Sequence, residues 1–507
     1  MLAEKSVECK VEVVQKQLAS LVDWVVKAAE QGTSVYAVEK HLFRAVLIMG
    51  YHLLGLFFHL VGPGDCGEEI TVEEGRTLKR LPKMLSRRLL TVFGEFKLKR
   101  WGYGTRPDQK IEVVPTDQRI QIPESVTSYM LQDLNQMFAT DLAFGPVCKN
   151  LKRMLGLKQS VDTVERGNRQ MAEAAPAFRE SQPAPQPENE GELLVVTEDN
   201  KGIPMVRPPK AAPAGSHRKK GEKANKKQMA CIGCVHTVDR HIRTPQELEA
   251  TLFRDKKDKE SDSCSQPPKA KQKQYWTALT RKENGVAVHA QTEVFQHMND
   301  AVALRRRPGQ IMIHLSDGQI SLETDREKHL PRDEQTVDIL DLMHVLTRLW
   351  ALAHLFYAEG SDAAREFVRV LVRGVLAGKS SKVIGNLRRR GTRQGLRGKK
   401  AKRLKQLCGF LEKNLHRMRY DEYLRAGYPI ATGVIEGACR HVIKDRMERA
   451  GMRWTVAGAQ AMLQLRAICA NDDWDAFQEF RVQYETARLY PYRHLFETIA
   501  WNLTLTI

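Results

Sequence analysis

The sequence predicts an α/β core that follows a mixed, mostly helical N-terminal domain and contains a long helical insertion. Ser181–Glu190 is polar and rich in proline, as linkers between domains are. Short apolar runs follow at 192–197, 310–315 and 336–340, and each has the length of a buried strand. Further strand candidates lie at 229–238 and 275–280, with a helix at 291–306. Strands combined with helices indicate an α/β sheet, and beyond Met343 the pattern is helical to the end.

Length and charge restrict the class of protein. A chain of 507 residues is too long for one ordinary core, so two or three domains are expected. The net charge of +19 favours a polyphosphate partner, because each neutralised phosphate releases condensed counterions. Nine cysteines without a regular spacing indicate a reducing compartment. We therefore expect a cytoplasmic, nucleic-acid-binding protein.

One segment has the length of a membrane span. Residues 45–62 carry no formal charge, but Tyr51, His52 and His59 interrupt the apolar run. We expect a buried core helix here and no membrane association.

The N-terminal region contains a strand and a pair of short helices. Thr91–Trp101 alternates apolar and charged residues in its second half, as a half-exposed strand does. A helix over 144–155, a break at Gly156 and a helix capped by Ser160 resemble a helix-turn-helix. Its second helix would project Glu165, Arg166 and Arg169. A DNA-reading element and a plain helical core both fit this pattern.

Three acidic residues stand where a catalytic site is built in open α/β folds. Asp199 and Asp317 each follow a predicted strand, and Glu436 lies near the first turn of a predicted helix. Carboxylates suit Mg²⁺ or Mn²⁺, and two such ions can support in-line phosphoryl transfer. A simple turn after each strand is the alternative interpretation. The sequence has no phosphate-binding loop, so no nucleotide cofactor is expected.

Basic residues form candidate DNA contacts in three places. The densest run, 388–405, repels itself unless an anion neutralises it. For the basic residues at 446–454, the alternative interpretation is a solvated helix face with one core tryptophan. The candidates are Lys219 and Lys220; Arg389, Arg390, Arg393, Lys399 and Lys400; and Arg446, Arg449, Arg453 and Trp454.

Several motifs resemble bacterial insertion-sequence transposases of the ISKra type, which are related to the Mutator group. The motifs are Arg76-Thr-Leu-Lys-Arg-Leu-Pro, Val195-Val-Thr-Glu-Asp-Asn-Lys-Gly-Ile-Pro-Met, Ser316-Asp-Gly, Ile339-Leu-Asp-Leu-Met-His and Tyr428-Pro-Ile-Ala-Thr-Gly-Val-Ile-Glu-Gly-Ala-Cys-Arg. The resemblance implies a ribonuclease-H-like core whose Asp-Asp-Glu set is Asp199, Asp317 and Glu436, with these three as the metal ligands.

The resemblance also implies supporting residues and a domain plan. Asp341 and His344 match an aspartate–histidine motif after the second acid; Asp341 is the rival of Asp317, and Glu198 is the rival of Asp199. Arg440, four residues after Glu436, would share its helix face. The expected domains are 1–176 for end recognition, a linker at 177–191, core strands at 192–341, a helical insertion at 342–429, and a core helix with a helical tail at 430–507.

The function implied is metal-dependent cleavage at transposon ends and strand transfer into target DNA. Its partners would be the terminal repeats, the target DNA and further copies of the chain, since two ends must be joined. Two alternatives stay open: a nuclease that hydrolyses without joining, and a domesticated, non-catalytic DNA-binding protein.

Overall fold

The computed structural model describes residues 2–72, 75–105, 111–206, 227–253, 267–330, 332–449 and 451–497. The chain divides into two compact units, Met1–Phe178 with Asp475–Ile507 and Arg179–Trp474. The first boundary lies two residues beyond the predicted one at 176. The helical tail from Asp475 belongs with the N-terminal residues, whereas the sequence assigned it to the core.

The first unit begins with a hairpin of two long helices, α1 (Leu2–Glu30) and α2 (Val35–Val61). Ser34 caps α2 by accepting a hydrogen bond from the Ala37 amide at 3.4 Å. The expectation of a buried core helix over 45–62 is wrong, because Val61 is the one buried residue of α2. Among the described helices, α2 alone has the length and composition needed to cross a membrane.

The rest of this unit is a small β region followed by helices. The predicted strand at Thr91–Trp101 is confirmed in its second half, where Gly94–Arg100 forms a strand that pairs with Leu85–Thr91. The strands are β1 (Glu69–Thr71), β2 (Thr77–Arg80), β3 (Leu85–Thr91), β4 (Gly94–Arg100) and β5 (Tyr103–Gly104). The helices are α3 (Pro115–Ile120), α4 (Tyr129–Asp141), α5 (Phe144–Leu155), α6 (Val161–Ala172), α7 (Ala175–Ser181, which crosses the boundary) and, from the C-terminal part, α19 (Trp474–Leu489).

The predicted helix pair is confirmed as α5 and α6. Gly156 ends α5 in the left-handed region (φ 73°), where glycine carries no steric penalty. Ser160 caps α6 and accepts from the Thr163 amide at 3.1 Å. Arg166 and Arg169 are exposed on α6, as a surface that contacts a partner requires.

The second unit is built on a five-stranded mixed sheet with the order β12-β11-β6-β7-β8. Its strands are β6 (Leu193–Pro204), β7 (Lys227–Val238), β8 (Lys271–Leu279), β11 (Met312–Ser316) and β12 (Thr336–Leu340). β7 is antiparallel to both β6 and β8, whereas β11 is parallel to both β6 and β12. A short hairpin, β9 (Arg281–Glu283) with β10 (Val286–Val288), stands apart from this sheet.

Helices account for most of the remaining residues of this unit. They are α8 (Pro245–Leu252), α9 (Ala290–Arg305), α10 (Ile320–His329), α11 (Leu342–Ala353), α12 (Asp362–Leu376), α13 (Ser380–Arg393), α14 (Gly398–Lys413), α15 (Tyr420–Arg425), α16 (Gly433–Ala438), α17 (Asp445–Met447) and α18 (Val456–Ala470). Residues 342–429, which were predicted to form a helical insertion, contain the helices α11 to α15. The predicted linker ends in the core, where Glu190 pairs with Arg305 at 2.8 Å and both side chains are buried.

Alternate residues of β6 enter two different hydrophobic cores. Leu193 and Val195 pack with α11 to α15 on one side of the sheet. Leu194 and Val196 pack with α9 on the other. Because side chains alternate along a strand, Asp199 shares the face of Leu193 and Val195, and Glu198 shares the opposite face.

Candidate carboxylate site

Three acidic residues lie where the parallel pairing between β6, β11 and β12 ends. The pairing of β11 with β6 ends at Leu315 and Thr197, and two further steps along both chains reach Asp317 and Asp199. Neighbouring strands are about 4.8 Å apart, so these two residues are adjacent. Asp341 follows β12, and its amide donates to the Ser316 carbonyl at 2.8 Å.

Asp199 differs from expectation in its local structure. The sequence predicted a turn after Thr197, but β6 continues to Pro204, because its antiparallel pairing with β7 extends through Asp199. The carboxylate is partly exposed and accepts from the Asn200 amide at 2.7 Å. Asp199 is therefore held on the regular backbone of a central strand.

Asp317 directly follows β11, as the sequence predicted. Its carboxylate accepts from the Gln319 amide at 2.8 Å. Gly318 between them has φ 80°, and a Cβ at this position would lie 2.8 Å from the Leu340 side chain. Glycine thus allows the chain to turn tightly over β12 and leaves Asp317 at the mouth of the site.

Asp341 is fully buried and uses both carboxylate oxygens within the protein. Oδ1 accepts from the amides of Met343, at 2.5 Å, and His344, at 3.2 Å, and so caps α11. Oδ2 accepts from the Thr432 amide at 2.7 Å and from the Thr432 hydroxyl. Asp341 therefore fixes the segment that leads to Glu436 against the start of α11.

Glu436 lies in the first turn of α16, as the sequence predicted. Its Oε1 is 3.6 Å from Nε2 of His344. Directly after α16, Cys439–Lys444 forms a π-helical turn, an irregularity common at functional sites. The π-helical turn changes the number of residues per turn after Glu436. The alignment of Arg440 with Glu436 that a regular α-helix would give therefore does not apply.

The carboxylates of the site influence one another electrostatically. Burial raises the pKa of Asp199, and the neighbouring Asp317 raises it further, against the hydrogen bonds from Cys439 and Asn200. Burial also raises the pKa of Glu436, with added repulsion from Asp341 and Asp199 and with attraction from His344 opposing it. The site thus concentrates negative charge that the protein itself compensates only in part.

The rival acid Glu198 lies on the opposite face of β6 and has its own partner. Both of its oxygens lie 3.0 Å from Nε2 of His314. The other ring nitrogen of His314 is 3.4 Å from Asp338, which Arg326 binds at 2.6 Å. Glu198 is thus a buried member of a charge-balanced network, away from Asp199 and Asp317.

The carboxylate oxygens of this site are the type of ligand that a hard divalent cation prefers. Within the described ranges, no three His, Cys, Asp or Glu side chains converge closely enough to hold a metal ion as they stand. Asp199 and Asp317 are adjacent, whereas Glu436 is turned toward His344. A cation held by the two aspartates would relieve their repulsion, and Glu436 would be a third carboxylate ligand of the same kind.

Arg348 is a contributor that the sequence analysis missed. Its guanidinium group lies 3.6 Å from the ring centre of Phe410 and donates to the His344 carbonyl at 2.9 Å. Burial lowers its pKa, and the charge of Asp317 acts in the opposite direction. Its position four residues after His344 on α11 was the available signal, but stacking on Phe410 depends on the fold.

The basic candidates divide into exposed and buried residues. Arg389, Arg393, Lys399 and Lys400 are exposed on α13 and α14 or next to them, as are Arg440, Arg449 and Arg453 after Glu436. Lys219 and Lys220 lie outside the described residues.

Three residues that were expected to contact DNA are not exposed on the surface, so this part of the prediction is wrong. Arg446 and Trp454 are buried, with the guanidinium carbon 4.8 Å from the ring centre, because both pack beside the end of β6. Arg390 is half-buried, stacks on Phe367 at 4.7 Å and donates to the Tyr357 hydroxyl at 2.6 Å. These side chains stabilise helix packing instead of forming an open surface.

No protein-family model and no curated protein matches this sequence. The chemical assignment therefore depends on the residues and geometry described above.

Proposed function

We propose that the protein is a DNA transposase whose second unit is a ribonuclease-H-like core with an Asp199–Asp317–Glu436 site. One observation carries the proposal: Asp199 and Asp317 are adjacent where the parallel pairing of β6 and β11 ends, and Glu436 is close enough to interact electrostatically with Asp199. The strand arrangement supports it, since three antiparallel strands are followed by two parallel ones on the other side of β6. The helical residues 342–429 separate the second acid from the third.

Asp199 and Asp317 would hold Mg²⁺ or Mn²⁺, and Glu436 would complete the coordination of one of two ions. Bound metal supplies the activation of a water or 3′-hydroxyl nucleophile and stabilises the leaving oxygen. Asp341 keeps α11 and the Thr432 segment together, so that His344 and Glu436 face each other. The charge of Arg348 acts on Asp317, so this guanidinium group would attract a phosphate oxygen bound at the site.

The exposed basic residues support DNA as the substrate. Arg389, Arg393, Lys399 and Lys400 belong to the same unit as the carboxylates, and α6 offers Arg166 and Arg169 for reading terminal repeats. Each phosphate that these groups neutralise favours association through counterion release.

A strand-transfer assay tests the proposal. Purified full-length chain is mixed with labelled DNA ends from the flanks of its own coding sequence, target plasmid and Mg²⁺ or Mn²⁺. The expected result is metal-dependent joined product that falls by about a thousandfold in Asp317→Asn, because a metal ligand is lost. Glu198→Gln is the control, since it removes a carboxylate from the other face of the same sheet.

Cleavage without joining would replace the transposase with a nuclease that uses the same acids. Tight DNA binding without metal-dependent chemistry would leave a non-catalytic DNA-binding protein. Full activity of Asp317→Asn would contradict the site.

A further inference from the structure

A buried arginine, Arg417, contacts both ends of the turn that contains Asp317. It lies in the short 3₁₀ helix Leu415–Arg417 that follows α14, and it is buried. Its Nη1 donates to the hydroxyl of Ser316 at 3.2 Å, and its Nη2 forms an ion pair with Glu323. Ser316 is the last residue of β11, and Glu323 lies in the first turn of α10. The guanidinium group therefore joins the two elements that Asp317 connects.

Three properties make these contacts a strong constraint on the turn. Only 3% of the Arg417 side chain and 23% of the Glu323 side chain are exposed, so salt screens the ion pair weakly. Hydrogen bonds from an ionised donor are about twice as strong as those between neutral groups. A guanidinium group is also planar and directs its N–H donors along fixed directions. The positions of Ser316 and Glu323 relative to each other are thus set by one rigid group.

The turn between these two anchors is short. Only Asp317, Gly318 and Gln319 separate the end of β11 from the start of α10. The Ser316 carbonyl also accepts from the Asp341 amide at 2.8 Å, which fixes the first anchor to the neighbouring strand. Fixing both ends of so short a connection removes most of the backbone freedom that would let the Asp317 carboxylate change direction.

The end of α14 supports the same turn. A Cβ at Gly318 would lie 2.9 Å from the Phe410 ring, so this ring packs directly against the turn. Asn414 donates to the Phe410 carbonyl at 2.8 Å and accepts from Arg417. Phe410, Asn414 and Arg417 are spaced four and three residues apart, so one side of the helix end faces the turn.

We propose that Arg417 is a positioning residue of the carboxylate site, which holds the Asp317 carboxylate in the direction that binds a divalent cation without binding the cation itself. This role rests on the proposed function, because Asp317 is taken as a metal ligand. It adds a buried cation behind the second acid to the requirements of the site. Replacing a group that orients a metal ligand typically weakens metal binding by about ten- to hundredfold.

Hydrogen exchange of the metal-free, full-length chain tests the positioning by itself. The reporter is the peptide that contains Gln319, whose amide donates to Oδ1 of Asp317 at 2.8 Å. Arg417→Lys keeps the charge, but an ammonium group cannot reproduce the two-sided contact with Ser316 and Glu323. We expect exchange at Gln319 to accelerate about tenfold.

Arg305→Lys is the matched control for this variant. Arg305 is also a buried arginine in an ion pair, but it binds Glu190 near the start of β6. The control should leave exchange at Gln319 unchanged.

Mn²⁺ binding, followed by electron paramagnetic resonance, tests the consequence for the site. The dissociation constant should rise about tenfold in Arg417→Lys and stay unchanged in Arg305→Lys. Ser316→Ala removes only the hydroxyl acceptor, so it tests the same contact even if Arg417→Lys does not fold, and it should raise the dissociation constant about threefold. Adding Ser316→Ala to Arg417→Lys should change nothing further, because both break one contact.

The outcomes separate this role from the metal site itself. Unchanged exchange at Gln319 in Arg417→Lys, or Mn²⁺ affinity equal to that of wild type, would overturn the role of Arg417. Equal losses in Arg417→Lys and Arg305→Lys would overturn it as well, since they would show a general effect on the fold. A wild type that binds no Mn²⁺, together with faster exchange in Arg417→Lys, would contradict the metal site but support the positioning of the turn.

Discussion

The two faces of the central sheet both carry acidic side chains, but the surroundings of these acids differ between the faces. On the face toward α9 and α10, Glu198 and Asp338 are buried and bind His314 and Arg326 at 2.6–3.4 Å. On the face toward α11, Asp199 and Asp317 are partly exposed beside Glu436, with His344 as the nearby base. The first set pairs its acids with basic side chains inside the protein, and the second leaves negative charge open to a cation.

This difference separates structural acids from candidate catalytic ones more sharply than sequence context does. Glu198 and Asp199 are consecutive, yet alternation along β6 sends them to opposite faces. A carboxylate paired inside the core contributes to stability, whereas acids that repel one another reduce stability until a ligand binds.

The largest effect on folding is expected at Glu198. Glu198→Gln weakens the bonds to His314 in a buried site, and we expect the free energy of unfolding to fall by about 2 kcal/mol. Urea denaturation without metal measures this change. An unchanged stability would contradict the structural role of that face.

An intermediate effect, on strand-transfer activity, is expected from substitution of Asp341. Asp341→Asn keeps an acceptor for the α11 amides but weakens the double contact with Thr432. We expect strand transfer to fall about tenfold while metal affinity changes little, because the residue positions the site without binding metal. A loss as complete as that of Asp317→Asn would make Asp341 the second ligand.

The smallest effect is expected at Asp199, where substitution should stabilise the metal-free protein instead of destabilising it. Because its pKa in the folded protein lies above the ordinary value, its ionised form opposes folding above that pKa. Asp199→Asn should therefore raise the melting temperature of the metal-free protein at pH 7. The gain should shrink as the pH falls through the folded-state pKa, where wild type binds the proton. A lower melting temperature at pH 7 would contradict a raised pKa of Asp199, which burial and the charge of Asp317 cause together.

Local pattern predicted much of this fold. The strand at 336–340 and the helices at 144–155 and after Ser160 have the predicted bounds, because period and capping are local properties. Asp199 was expected in a turn, since only pairing with β7 shows that the strand continues. Burial of Arg446 and Trp454, stacking of Arg390 and exposure of α2 depend on distant partners, which no local pattern encodes.

The central claim is that Asp199 and Asp317 form a divalent-cation site. Mn²⁺ binding to the full-length chain, followed by electron paramagnetic resonance, tests it most directly, with Asp317→Asn and Glu198→Gln beside wild type. We expect saturable binding in wild type and Glu198→Gln, and a loss of at least about tenfold in affinity in Asp317→Asn. Equal affinities in all three proteins would contradict the claim.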